Sequence, residues 1–224
     1  ELYRVDLESG SVTKLNAPLV AGGDVVSSVI DPKGKFVVYL ADQDTDGVDE
    51  VYRVHLKSGA VTRLNAPLVT DGDVSQVAID SRGKSVVYRA DQDADSVNEL
   101  YRVDLKSGAV TKLNAPLVAA GDVVSSVIDP KGKFVVYRAD QDTDGVDESY
   151  RVELKSGTVT KLNALLVAGG DVSQVKIDGK GKSVAYLADQ DTDDVLELYR
   201  VELKSGAVTK LNAPLVAGGD VVSS

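Results

Sequence analysis

Nine consecutive residues of this sequence have the chemistry of a hard-cation site: Asp42-Gln43-Asp44-Thr45-Asp46-Gly47-Val48-Asp49-Glu50. On a tightly curled loop, alternate side chains converge on one point. Carboxylates at the first, third and fifth positions, followed by Gly at the sixth, therefore make the first half of a calcium-binding loop. Gly permits the sharp turn, and the seventh residue, Val48, would contribute a backbone carbonyl. Calcium suits such a set because it takes about six to eight oxygens and neutralises carboxylates that otherwise repel one another. Asp140, Asp142, Asp144, Gly145 and Val146 repeat the pattern in full. Asp91, Asp93 and Asp95 repeat its acids with Ser96 in place of Gly, and Asp189, Asp191 and Asp193 do so with Asp194 there. The competing reading is an acidic hairpin turn, because Asp and Gly are common turn residues. Calcium is the cofactor expected.

These loops are positioned by a repeat. Tyr3, Tyr52, Tyr101, Tyr150 and Tyr199 are each 49 residues apart. Within one unit, residues 122–167, four short segments are separated by turn chemistry. Val123 to Ile128 ends at Asp129-Pro130-Lys131-Gly132, where Pro and Gly suit a tight reversal. Lys133 to Ala139 is rich in Val, Phe and Tyr, as expected of a strand buried on both faces. Ser149 to Leu154 alternates, with Tyr150, Val152 and Leu154 on one side and Arg151 and Glu153 on the other. Lys155-Ser156-Gly157 turns the chain into a shorter, more polar segment, Val159 to Asn163. Apolar residues do not recur at helical spacing, so four antiparallel strands per repeat are predicted. That is the signature of a β-propeller blade.

The expected fold is thus an all-β propeller of four-stranded antiparallel blades of 49 residues, about four and a half in this chain. The predicted division is a half blade over residues 1–20, blades over 21–69, 70–118, 119–167 and 168–216, and the start of a further blade over 217–224. Residues 24–36 and 122–134 are one identical string, whereas 73–80 and 171–178 form a second type with Ser85 and Ser183 replacing Phe36 and Phe134. The deeper period is two blades. Because the two ends together lack a second strand, the chain is expected to be a window on a larger or multi-chain array.

Composition removes several functions. There is no Cys, hence no disulfide framework, zinc-thiolate site or thiol nucleophile. The single histidine, His55, stands where the other repeats carry Asp6, Asp104, Glu153 and Glu202, and reads as an exposed substitution. No Asp pair gathers into one asymmetric cleft when identical blades distribute it round a rim, so the chain is expected not to be an enzyme. A formal charge of −10 argues against nucleic acid as a partner. No apolar run of about 18 residues is present to span a membrane. The charge is nonetheless polarised. Blade geometry sends Lys33, Lys35, Lys57, Lys106 and their repeats to one rim, and the Asp-rich loops with Asp24, Asp73, Asp122 and Asp171 to the other.

The strings Asp31-Pro32-Lys33-Gly34-Lys35, Asp46-Gly47, Glu99-Leu100-Tyr101 and Leu113-Asn114 resemble the TolB-like propeller repeat, related to WD repeats, once per unit along the whole chain. That resemblance implies a propeller of the kind found in periplasmic scaffolds, secreted surface proteins and the gating domains of some peptidases. The acidic loops are not EF-hands, since the twelfth position is Arg53 and the flanks read as strands. They look more like the Asp-rich loops of some other propellers, such as integrin heads, where an acid near the ninth position completes the site. The resemblance puts Glu50, Glu99, Glu148 and Glu197 in that role. The function expected is a structural or protein-interaction scaffold, secreted, surface-exposed or periplasmic, whose partners are other proteins or copies of itself. The alternatives are the propeller portion of a larger, peptidase-like enzyme and an amplified or engineered repeat with no evolved ligand.

Overall fold

A computed structural model describes residues 1–222; Ser223 and Ser224, assigned from the sequence to a further first strand, lie outside the described residues. The described residues contain strands and turns and no helix. The chain divides into two compact units, Glu1–Lys112 and the residues from Leu113 onward. The N-terminal unit holds a two-stranded sheet, β1 (Tyr3–Val5) with β2 (Val12–Lys14), and two four-stranded sheets. The first of these runs β3 (Val25–Ile30), β4 (Phe36–Ala41), β5 (Glu50–His55) and β6 (Val61–Arg63). The second runs β7 (Val74–Ile79), β8 (Ser85–Ala90), β9 (Glu99–Asp104) and β10 (Val110–Lys112). The C-terminal unit holds β11 (Val123–Ile128), β12 (Phe134–Ala139), β13 (Glu148–Glu153) and β14 (Val159–Lys161). Its second sheet is β15 (Val172–Ile177), β16 (Ser183–Ala188), β17 (Glu197–Glu202) and β18 (Val208–Lys210). Every sheet is an antiparallel meander in chain order, the blade arrangement that the repeat predicted.

Boundaries differ from the sequence reading by a residue or two, for identifiable reasons. The third strand ends at Glu153, because Leu154 N–H leaves the ladder to reach Lys133 O at 2.9 Å in the neighbouring turn. The fourth ends at Lys161, because Asn163 turns its side chain, not its backbone, toward the third strand and accepts Ser149 N–H at 2.8 Å. The first strand carries a bulge at the same place in all four complete blades, for example between Val123 and Ser125.

Burial follows from stacking blade on blade. β4 is buried at all six positions, as a strand covered on both faces requires. The alternation of the third strand does not become an inside and an outside. Tyr52 and Val54 enter one core while Val51, on the opposite face, enters the next. In the N-terminal unit the face made by Phe36, Val38, Leu40, Val51 and Leu64 packs on Val74, Val86, Tyr88, Tyr101 and Val103 of the following blade. The tyrosines pair in register, Tyr39 with Tyr52 and Tyr137 with Tyr150, their rings stacked at 5.4 Å and 5.3 Å. They are core residues.

At one end of each blade the second-to-third loop interlocks with the inter-blade connections. Val20 N–H donates to Gln43 O at 3.1 Å, and Val74 N–H to Asp49 O at 2.9 Å. At the other end the two hairpin turns meet, with Leu56 N–H on Lys35 O at 2.9 Å. The two rims expected from the sequence are therefore built by different contacts.

Candidate functional site

The Asp-rich loops share one geometry. The first Asp of each faces inward to hold its own loop: Asp42 accepts the Gly47 N–H at 3.2 Å and the Asp24 N–H of the incoming connection. Asp140 does the same with Gly145 N–H, at 3.2 Å, and Asp122 N–H. These backbone donors, Asp24 N–H above all, hold the Asp42 carboxyl below the ordinary range. Gly47 and Gly145 sit at φ +74° and +71°, and Ser96 and Asp194 keep the same left-handed turn at +60° and +58°. The turn thus survives loss of its glycine, at a cost of about 1–2 kcal/mol for a residue with a Cβ.

The third and ninth positions are joined by a lysine. Lys161 Nζ lies 2.7 Å from Asp142 Oδ2 and 2.6 Å from Glu148 Oε2, above the Tyr150 ring. Lys112 joins Asp93 at 2.8 Å to Glu99 at 2.6 Å, and Lys210 joins Asp191 to Glu197, both at 2.6 Å. Each Glu is also reached by the adjacent hydroxyl: Tyr101, Tyr150 and Tyr199 donate to it at 2.9 Å. The lysine hydrogen bonds hold Asp93, Asp142 and Asp191 below the usual carboxylate range. Burial alone would lower the lysines' own affinity for the proton; the bonds from both carboxylates outweigh it, and Lys112 and Lys161 are raised. The first loop differs. Arg63 replaces the lysine and binds Glu50 at 2.8 Å, Tyr52 donates to Glu50 at 2.6 Å, and among the described residues no ion pair joins Arg63 to Asp44.

The fifth-position acids, Asp46, Asp95, Asp144 and Asp193, are exposed. Val48 and Val146 close the turn by donating N–H to Thr45 O and Thr143 O at 3.2 and 3.1 Å. The residues picked out for calcium are therefore brought to one loop but divided among three tasks: backbone capping, lysine pairing and solvent. Among the described residues no group of three or more Asp, Glu or His side chains is arranged to hold a metal ion. In the second, third and fourth loops the donor set as placed does not fit a divalent cation, because the ammonium of Lys112, Lys161 or Lys210 already occupies the space between the third- and ninth-position oxygens. Beside this pairing, burial, then repulsion from Asp73 and Asp42, raises the Asp49 carboxyl.

Sequence reasoning missed the lysines. Their signal is the Val-Thr-Lys string in the fourth strand, whose Lys lies directly across from the third-strand Tyr, as with Lys161 opposite Tyr150. The ninth-position Glu precedes that Tyr by two residues, so it shares the same face of the sheet. His55 is exposed at the end of β5, as expected.

No family model and no curated protein matches the sequence. Solved structures do resemble it in fold. TolB from Acinetobacter baumannii matches with a TM-score of 0.56 at 16% identity, over 93% of this chain and 48% of that one. An oligogalacturonate lyase in complex with manganese matches with a TM-score of 0.66 at 16% identity, over 93% and 58%. Dipeptidyl peptidase 4 of Porphyromonas gingivalis matches with a TM-score of 0.66 at 14% identity, over 84% and 30%. The chain spans about half the length of the first two. At these identities the likeness establishes fold alone: the blades are of TolB-like propeller type.

Proposed function

We propose that the chain is a non-enzymatic propeller scaffold, a structural or protein-interaction module whose acidic loops are rigid connectors closed by its own lysines. The observation that supports this reading is the Asp–Lys–Glu bridge, repeated at Lys112, Lys161 and Lys210 with both contacts within 2.8 Å. An ammonium on that spot supplies the positive charge that calcium was expected to bring. It arrives with the fold and is independent of ion supply. The partners are proteins or further copies of the chain, and the setting is secreted, surface or periplasmic, in keeping with the TolB resemblance. No helix of the described residues is long and apolar enough to cross a membrane.

Calcium titration tests the loops. The expected outcome is no saturable heat at millimolar calcium, and a thermal midpoint unmoved by chelator. Saturable uptake with a raised midpoint would return the loops to calcium and remove the lysine reading. A second reading, the propeller portion of a larger peptidase-like enzyme, is favoured by the match to dipeptidyl peptidase 4, of which this chain covers 30%. A hydrolase domain in the continuous reading frame would decide for it.

A further inference from the structure

We propose that the N-terminal unit carries an anion pocket at the rim opposite the acidic loops, fitted to a small aryl phosphate, and that His55 makes it one. A cavity of about 450 Å³ lies there, lined by Lys35, Phe36, Arg53, His55, Lys84 and Lys106, with Asp104 its one carboxylate. The C-terminal unit repeats the cavity at about 420 Å³, with Lys133, Phe134, Arg151, Lys182 and Lys204, but with two carboxylates, Glu153 and Glu202. The molecule thus contains its own control.

The two cavities differ at the residue beside the arginine. Arg151 is bound to Glu153 at 2.8 Å. In the remaining complete blades Arg102 has Asp104 and Arg200 has Glu202 in the same relation. His55 stands in that place for Arg53, so the acid is gone. The Arg53 guanidinium lies over the Phe36 ring, 5.9 Å from its centre, and is anchored by one bond of 3.3 Å to Leu105 O. Among the described residues, Lys35, Arg53, Lys84 and Lys106 form no ion pair. Asp104 is engaged by its own turn, accepting Lys106 N–H at 3.0 Å and Ser107 N–H at 2.9 Å.

A carboxylate in this position can only accept, so Glu153 both occupies Arg151 and repels an incoming anion. An imidazole can donate. The guanidinium fork matches phosphate oxygens, and a concave wall bearing several cations focuses their field. Leu105 and the plane of the Arg53 guanidinium, itself backed by the buried Phe36 ring, give an aromatic body something to rest on. The chain's net charge does not oppose this locally, because the Asp-rich loops lie on the far rim and the cavity's own carboxylate, Asp104, is engaged by its turn.

The test is a titration of the isotope-labelled full chain with phenyl phosphate at low ionic strength, following backbone amides and arginine Nε–Hε signals. Saturable shifts are expected at Lys35, Arg53, Lys84 and Lys106, at least about tenfold tighter than any at Lys133, Arg151, Lys182 and Lys204. His55→Glu should bring the first pocket down to the second. Glu already occupies this strand position at Glu153 and Glu202, so that variant keeps a side chain the blade accepts. Glu153→His should raise the second pocket toward the first. Shifts that do not saturate, equal affinity in both pockets, or an unchanged affinity in His55→Glu would overturn the proposal.

Discussion

The two rims of the blades carry opposite charge, but they differ more in how that charge is engaged. On the acidic rim, the first-position Asp side chains bind backbone N–H groups, and Asp93, Asp142 and Asp191 share a lysine with Glu99, Glu148 and Glu197. On the basic rim of the N-terminal unit, Lys35, Lys84, Lys106 and Arg53 line a cavity and form no ion pair among the described residues, its one carboxylate, Asp104, pairing with Arg102 instead. A rim rich in one charge is therefore not the rim most available to a ligand of the other. The acids are numerous, and those at the first, third and ninth positions of the second, third and fourth loops are already occupied. The cations are fewer and open.

That contrast can be broken first at its foundation. Tyr101 is 2% exposed, stacked on Tyr88 and hydrogen-bonded to Glu99. Tyr101→Ala should cost about 3–5 kcal/mol in denaturant unfolding, through the cavity it leaves and the stranded Glu99. A cost below about 1 kcal/mol would mean that the acidic loop is not braced from the core.

Next comes the lysine bridge. Lys161→Gln leaves Glu148, 8% exposed, without its cation and should cost about 1–3 kcal/mol. The pH dependence gives the sign. The Asp142 carboxyl is held below its usual 3.8, chiefly by the Lys161 hydrogen bond, so its contribution is present at neutral pH. It is lost as pH falls below about 4 and the carboxyl takes up its proton. The variant should lose this part of the acid dependence. An unchanged profile would break the bridge as a stabilising element.

The basic rim offers a paired test of comparable or smaller size. Gly34 and Gly83 occupy the same turn in two blades at φ +61° and +62°, so a Cβ meets the same backbone penalty in each. At Gly34 it would find open space, whereas at Gly83 it would overlap Asp31 Oδ1, a buried oxygen with no hydrogen-bond partner. Gly83→Ala should therefore be worse than Gly34→Ala by about 1–3 kcal/mol. Equal losses would show that this turn yields without strain.

The smallest effect belongs to Lys33, exposed and donating to Arg82 O at 2.9 Å. Lys33→Ala should change stability by no more than about 0.5 kcal/mol. A larger loss would mean that the basic rim is tied together as firmly as the acidic one.

Much of this was legible in the residues. The Pro-Gly and Ser-Gly turns, the Val-rich second strand and the recurring tyrosines fixed four strands per repeat, because each feature acts within a few residues of itself. The Asp-rich string was legible as a tight loop, but only the structure shows that Ser96 and Asp194 keep the left-handed turn of the glycines they replace. What the string would bind was not, because the carboxylate partners lie 13 or 19 residues away on another strand, as Lys161 does from Glu148 and Asp142. His55 was legible as an exposed substitution. Its neighbours were not, since Lys84 and Lys106 arrive from the next blade.

By itself, then, the sequence determined the strand order, the repeat and the rim to which each charge is sent. Those depend on local turn chemistry and on the two-residue period of a strand. Only the tertiary structure decided which charges are neutralised in place and which face a cavity. That depends on register between strands and on blade stacking, which bring together residues no spacing rule connects.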